Sequence, residues 1–185
     1  MRFTIVFHGP FRVATGAASD GLDAAYDAAS PLPSSSLKGL MRHQAAQVLE
    51  IDAAVVAEIF GTAAAPSPWW WSDAVIDPGP PGSSGTGRVR TQLRIDPVTF
   101  TAVATTLRTS GELWPPGARF EVRRRRAIPS GRAPLHEAVL AASARAISAL
   151  GSDRRRGLGW VSVIPGETWD EAKHQLLLSC RGNHG

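Results

Sequence analysis

Two stretches with apolar residues at helical spacing are separated by short runs in which apolar and polar residues alternate, and this order restricts the folds open to the chain. The first stretch carries Leu37, Leu40, Met41, Ala45, Val48 and Leu49 on one stripe to about Glu50, with Ser34-Ser35-Ser36 as candidate caps at its start. The second, 134–150, carries Leu135, Val139, Ala142, Ala146, Ile147 and Leu150. Asp52 predicts the cap of a further short helix ending at Phe60-Gly61, and Thr168 that of a last helix through Leu178. Strands are predicted at 3–8 (resuming at 11–14 after Gly9-Pro10), 69–76, 88–95, 118–126 and 160–164. The order β, α, β, β, β, α, β, α fits best an α+β fold with a ferredoxin-like βαββαβ core and a hairpin inserted before its second helix. Residues 16–33 and 78–87 are rich in Gly, Ser and Pro and read as loops, while 97–116 shows no clear element.

A length of 185 residues fits a single domain, and 43% hydrophobic content is enough for a packed core. No apolar run approaches a membrane span, and no signal-peptide pattern opens the sequence. The lone Cys180 excludes an internal disulfide framework and Cys-based zinc, so a cytoplasmic protein without membrane contact is expected. Charge is uneven. Residues 1–87 hold 4 basic and 8 acidic side chains, residues 88–156 hold 14 and 5, and Lys38 and Lys173 are the only lysines. That distribution suggests a polyanion held by one stretch. Nucleotide-binding, zinc-protease and nucleophile-elbow motifs are absent, and Gly157-Leu158-Gly159 is too short for a dinucleotide fingerprint, so no organic cofactor is expected. His8, His43, His136, His174 and His184 lack ligand spacing and are expected at surface or capping positions.

The basic positions are more informative. Lys38 and Arg42 stand four residues apart opposite the first apolar stripe, close behind the serines, where free N–H groups and the helix dipole suit a phosphate. Taken alone, a solvated helix face is the commoner meaning. Arg88, Arg90 and Arg94 line one strand face, where like charges repel unless an anion neutralises them, and the arginines at 123–126 extend the series. Arg154-Arg155-Arg156-Gly157-Leu158-Gly159 joins guanidinium groups to flexible backbone, a combination suited to bidentate phosphate binding. Several such clusters favour nucleic acid over decoration. Trp69-Trp70-Trp71 cannot all face a core from a strand; exposure for stacking or a subunit contact, and packing beneath the proline-rich stretch, are both open. Asp20, Asp23 and Asp27 lie in the loop before the basic helix. A carboxylate beside a phosphodiester can hold a divalent cation or orient a 2′-hydroxyl, although a solvated loop is the commoner meaning.

The string Pro31-Leu32-Pro33-Ser34-Ser35-Ser36-Leu37-Lys38-Gly39-Leu40-Met41-Arg42 resembles a signature of the RAMP superfamily, the repeat-associated RNA-binding proteins of CRISPR effector complexes. Further matches follow in the family's order: Ile59-Phe60-Gly61, Trp71-Ser72-Asp73-Ala74, Arg94-Ile95-Asp96 ahead of Pro116-Gly117-Ala118-Arg119-Phe120, and Arg156-Gly157-Leu158-Gly159-Trp160. The resemblance implies an RRM-related core, a thumb-like insertion at about 97–116 and a C-terminal glycine-rich loop. It is closest to backbone subunits of type III complexes, which stack as copies along a guide RNA beside other effector subunits. In those subunits the thumb kinks the guide–target duplex, and an aspartate before the Ser-Ser-Leu-Lys-Gly helix cleaves target RNA with a divalent metal.

Gly21-Leu22-Asp23 resembles the Gly-Ile-Asp of that loop, which makes Asp23 the implied catalytic and Mg- or Mn-binding residue, with Asp27 at a second acidic position. The implied RNA contacts are Ser36, Lys38, Arg42, Arg88, Arg90, Arg94, Arg154, Arg155, Arg156, Gly157 and Gly159. Two further roles stay open: a non-catalytic scaffold or capping subunit, and a guide-processing endonuclease with His8 or His43 as general base.

Overall fold

The structure, a computed structural model, describes residues 1–13, 30–78, 87–152, 154 and 157–182. β1 (Arg2–Phe7) lies in the main sheet between β6 (Gly117–Arg124) and β7 (Val161–Pro165), and β2 (Trp69–Trp71) flanks β6 to give the order β2-β6-β1-β7. β3 (Val75–Ile76) also pairs with β6, further along the same edge, and every pairing is antiparallel. Helix α1 (Ser34–His43), a π-helical turn (Gln44–Val48) and α2 (Ala53–Phe60) come between β1 and β2; α3 (Ala133–Arg145) follows β6, and α4 (Glu171–Ser179) follows β7. The chain is an α+β protein with antiparallel sheets.

Alternation decides which sheet face is covered. Phe3, Ile5, Phe7, Trp69, Trp71, Phe120, Val122 and Val163 are buried, whereas Thr4, Trp70, Arg119, Arg123, Ser162 and Ile164 occupy the opposite face and are exposed. The register pairs Phe3 with Phe120 across β1 and β6, and their rings stack 4.8 Å apart. α3 is buried on nearly every side, because it packs against α4, β7 and the π-helical turn. Ala138, Ala141, Ala142 and Ala144 leave room for those neighbours to approach.

Several elements end differently from expectation. Leu37, Met41 and Ala45 are buried as the stripe predicts, but the Leu49 N–H donates five residues back to the Gln44 carbonyl at 2.9 Å. That π turn holds one residue more than an α turn and rotates Val48 out to solvent. The second long helix stops at Arg145, and the chain runs on so that Ala149 bridges Trp160; Ile147 and Leu150 stay buried without being helical. Asp52 caps α2, accepting from the Ala54 N–H at 2.8 Å. α4 is capped by Asp170, which accepts from the Lys173 N–H at 2.8 Å, and not by Thr168.

β4 (Gly87–Gln92) and β5 (Arg108–Leu113) form a separate two-stranded antiparallel sheet. β5 falls inside 97–116, and of the stretch 78–87 residues 79–86 lie outside the described residues. The alternation at 88–95 covers no core: Val89, Leu93 and Ile95 are each more than half exposed. The hairpin makes its own sheet instead of joining the helix-covered one. Its link to the first part of the chain is Phe11, whose N–H and carbonyl both pair with Leu113, at 2.7 and 2.8 Å.

Candidate nucleic-acid interface

Helix α1 is a ridge with basic residues on its flanks. Pro33 holds its N-cap position, and no serine side chain caps it. The cap comes from the sheet edge instead: the Ser34 N–H donates to Asp73 Oδ1 at 2.7 Å, and the Ser30 hydroxyl donates to Oδ2 at 3.2 Å. From Trp71 to Val75 the chain takes four steps while β6 takes three, from Val122 to Arg119. This one-residue bulge places Asp73 at the start of α1 while Ala74 remains buried. The backbone bond from Ser34 holds the Asp73 carboxyl below the usual aspartate range. The helix end expected to receive a phosphate therefore already holds a carboxylate.

Further along the ridge, the Lys38 ammonium sits 5.3 Å from the ring centroid of buried Trp71. Burial, and then the positive charge of Arg42, push its pKa below the ordinary lysine value. Arg42 is exposed and lines a cleft with His43, Glu50 and Asp52. On the other flank Ser36, Gly39 and His43 face Gly151, Ser152 and Arg154 across a cleft of about 420 Å³. Ser36 and Arg154, far apart in sequence, are thus brought together.

The glycines hold the second wall of that cleft. Gly159 is left-handed (φ 76°), and a Cβ on it would lie 1.8 Å from the Leu150 carbonyl oxygen. Its N–H donates to the Pro10 carbonyl at 2.7 Å, and its own carbonyl accepts from the Leu150 N–H at 2.9 Å. Gly151 is similarly required, because a Cβ there would stand 2.3 Å from the Arg12 carbonyl oxygen. Gly157 is left-handed too, yet exposed, with open space where a side chain would go. Asp23, Asp27, Arg155 and Arg156 lie outside the described residues.

The hairpin arginines have a neutralising anion of their own. Glu112 of β5, fully buried, accepts from Arg88 Nε at 3.1 Å and from Arg90 Nη1 at 3.3 Å. An external polyanion is not needed to relieve repulsion between these two. Arg94 is exposed and makes no ion pair among the described residues.

Other residues of expected or unexpected weight sit elsewhere. His136 is fully buried, not a surface residue: Trp69 Nε1 donates to its Nδ1 at 3.1 Å, and its Nε2 meets Glu58 Oε1 at 2.9 Å. An indole N–H only donates, so Nδ1 accepts and the proton resides on Nε2. Arg132, and after it His136, hold the Glu58 carboxyl below its ordinary range. His8 meets the Ser162 hydroxyl at 2.8 Å, while His43 lies on the α1 ridge. Cys180 is buried. Among the described residues no group of His, Cys, Asp and Glu is arranged to hold a metal ion, and no helix is long and apolar enough to cross a membrane.

The family model of the RAMP superfamily matches residues 25–162. No curated protein matches the chain. Among solved structures, a chain of the Type III-B Cmr-beta complex bound to cognate target RNA, determined by cryo-EM, superposes with a TM-score of 0.66 at 11% identity, covering 88% of this chain and 95% of that one. A chain of the apo state of Type III-B Cmr-beta gives 0.65 at 10% identity, covering 93% and 97%. At such identities the likeness is one of fold.

Proposed function

The chain belongs to the RAMP superfamily, and on that premise we propose that it is a backbone subunit of a type III CRISPR effector complex that binds guide RNA and cleaves paired target RNA. The observation that carries this reading is the cleft between α1 and the glycine-rich loop. Ser36 and Arg154 face each other there, and Lys38 and Arg42 flank the same helix. A sugar-phosphate backbone laid along α1 would meet cations on both sides.

The strand order β2-β6-β1-β7, with helices after β1 and after β6, supports a ferredoxin-like core within a single domain. The β4–β5 hairpin, inserted between β3 and β6, is read as its thumb. The fold neighbour from a complex holding target RNA supports RNA and other effector subunits as partners; further copies of this chain along the guide, in the cytoplasm, belong to the same proposal.

In this reading Asp23 is the cleaving residue. It would hold a Mg or Mn ion, whose chemistry when bound is to stabilise charge on the reacting phosphate oxygens. Asp23→Ala in the assembled complex should abolish metal-dependent target cleavage and leave target binding intact. Unchanged cleavage would make this chain a scaffold and assign the cut elsewhere. For guide binding, Lys38→Ala with Arg42→Ala should lower the slope of log affinity against log salt by about 1.4, roughly 0.7 for each phosphate contact on a single strand. An unaltered slope would remove both residues from the interface.

A further inference from the structure

The sheet edge beside α1 carries a second set of groups that the guide-binding reading does not use. Alternation in β2 turns Trp69 and Trp71 inward, at 6% and 4% exposure, and leaves Trp70 outward at 44%. The register sets Arg123 opposite Trp70, and Arg123 is occupied by Glu121. The next three residues of the chain, Arg124, Arg125 and Arg126, are exposed and make no ion pair among the described residues. They do not trail freely: the N–H groups of Arg125 and Arg126 both donate to the Pro68 carbonyl, at 2.7 and 3.1 Å. That pins the arginine turn against the start of β2.

The result is an indole between two basic depressions. On one side Trp70, Arg125, Arg126 and Lys38 line an open groove of about 290 Å³ that reaches the start of α1. On the other, Trp70 lies with Arg123, Arg124 and Arg125. Two carboxylates lie beside Trp70 and both are engaged, Asp73 by Ser34 and Ser30 and Glu121 by Arg2 and Arg123. A cluster of unpaired guanidinium groups selects a polyanion. An exposed indole at its centre selects a polyanion with flat faces to stack, and only an unpaired base offers its face.

We propose that the β2–β6 edge is a docking site for single-stranded RNA, with a base stacked on Trp70 and the flanking phosphates on Arg125 and Arg126. This rests on the reading of the chain as an RNA-binding subunit, and it extends the bound strand past the α1 ridge onto the sheet edge.

The test uses the full chain and two probes, an oligouridylate of roughly 12 nucleotides and an abasic strand of equal length. Trp70→Ala should weaken oligouridylate binding by between about 5-fold and about 150-fold, the worth of one stacked base. Binding of the abasic strand should not change, and Trp70→Phe should restore most of the loss. Arg125→Ala with Arg126→Ala should lower the salt slope for both probes by about 1.4. Because Trp70 and both arginines are exposed, the variants should melt with the wild type, which excludes misfolding as the cause.

Equal oligouridylate affinity for wild type and Trp70→Ala overturns the site. If Lys38→Ala with Arg42→Ala still weakens binding in that case, the RNA-binding reading survives alone. If the wild type binds neither probe at low salt, by itself or within the complex, both readings fall. Protection of Trp70 from oxidation by a neighbouring subunit without RNA would assign the edge to protein and also overturn the proposal.

Discussion

Replacing Gly39 by alanine separates what the fold needs at this position from what a ligand needs. Gly39 stands in the middle of α1, exposed, and a methyl group built on it would meet no atom within 4 Å. Glycine inside a helix costs about 0.8–1.0 kcal/mol relative to alanine, so Gly39→Ala should stabilise the chain by nearly that amount. For a chain of this size the melting temperature should rise by roughly 2–4 °C. Gly39 also lines the clefts on both flanks of the ridge, with Ser36 and Arg154 on one side and Arg42 on the other. A phosphate in contact with the bare helix backbone would be displaced by the methyl, losing a charge-assisted hydrogen bond. That loss corresponds to roughly 10- to 150-fold in affinity. Thermal melting and fluorescence anisotropy with a labelled guide strand at fixed salt measure the two effects on one preparation. A stabilised variant that binds RNA as tightly as the wild type would refute the placement of RNA on this ridge, and a destabilised one would refute the open surroundings of Gly39.

Gly159→Ala should behave oppositely, costing about 3 kcal/mol or more through left-handed strain and two displaced backbone hydrogen bonds; a melting drop of roughly 6–12 °C is expected, against about 1 kcal/mol for Gly157→Ala. Glu112→Ala removes the acceptor shared by Arg88 and Arg90, so amide exchange in β4 and β5 should speed up about 10-fold or more while β1 and β6 keep their protection. Glu58 has a carboxyl pKa below the ordinary 4.5; its stabilising contribution is complete above that value and is lost as pH falls through the lowered one. Melting curves between about pH 5 and pH 3 should therefore fall more steeply for the wild type than for Glu58→Gln.

What the sequence discloses divides along the distance of the interactions involved. Period two sets Trp70 opposite Trp69 and Trp71 without saying which face meets the core, whereas Asp52 acts on N–H groups two and three residues ahead and is visible in the string itself. The cap of α1 is not, because Asp73 reaches Ser34 across 39 residues, and a run of three serines supplies a local alternative. His136 reads as one scattered histidine until α3 sets it between Trp69 and Glu58. Alternation in 88–95 indicates a strand but not which layer, if any, lies over it, so the exposed Val89 and the buried Glu112 both run against simple hydropathy. The family resemblance names Ser36 and Arg154 as RNA contacts but not the cleft that joins them, whose geometry depends on Gly151 and Gly159 approaching the Arg12 and Leu150 backbones.

The bulge between β2 and β3 makes this edge a matter of counting. Up to Trp71 the odd-numbered residues face the helices; beyond it Ala74 and Ile76 do, so parity reverses. Removing one residue between Trp71 and Ala74 would restore an unbroken alternation that still points Ala74 and Ile76 inward, but it would leave nothing to reach Ser34. The helix would be unlatched from an intact sheet. Adding one residue would also make the count even and keep Ala74 and Ile76 inward, but it would slide β3 two residues along β6 or force a larger bulge. Chains built on this plan can therefore vary the residue types in the segment far more readily than their number.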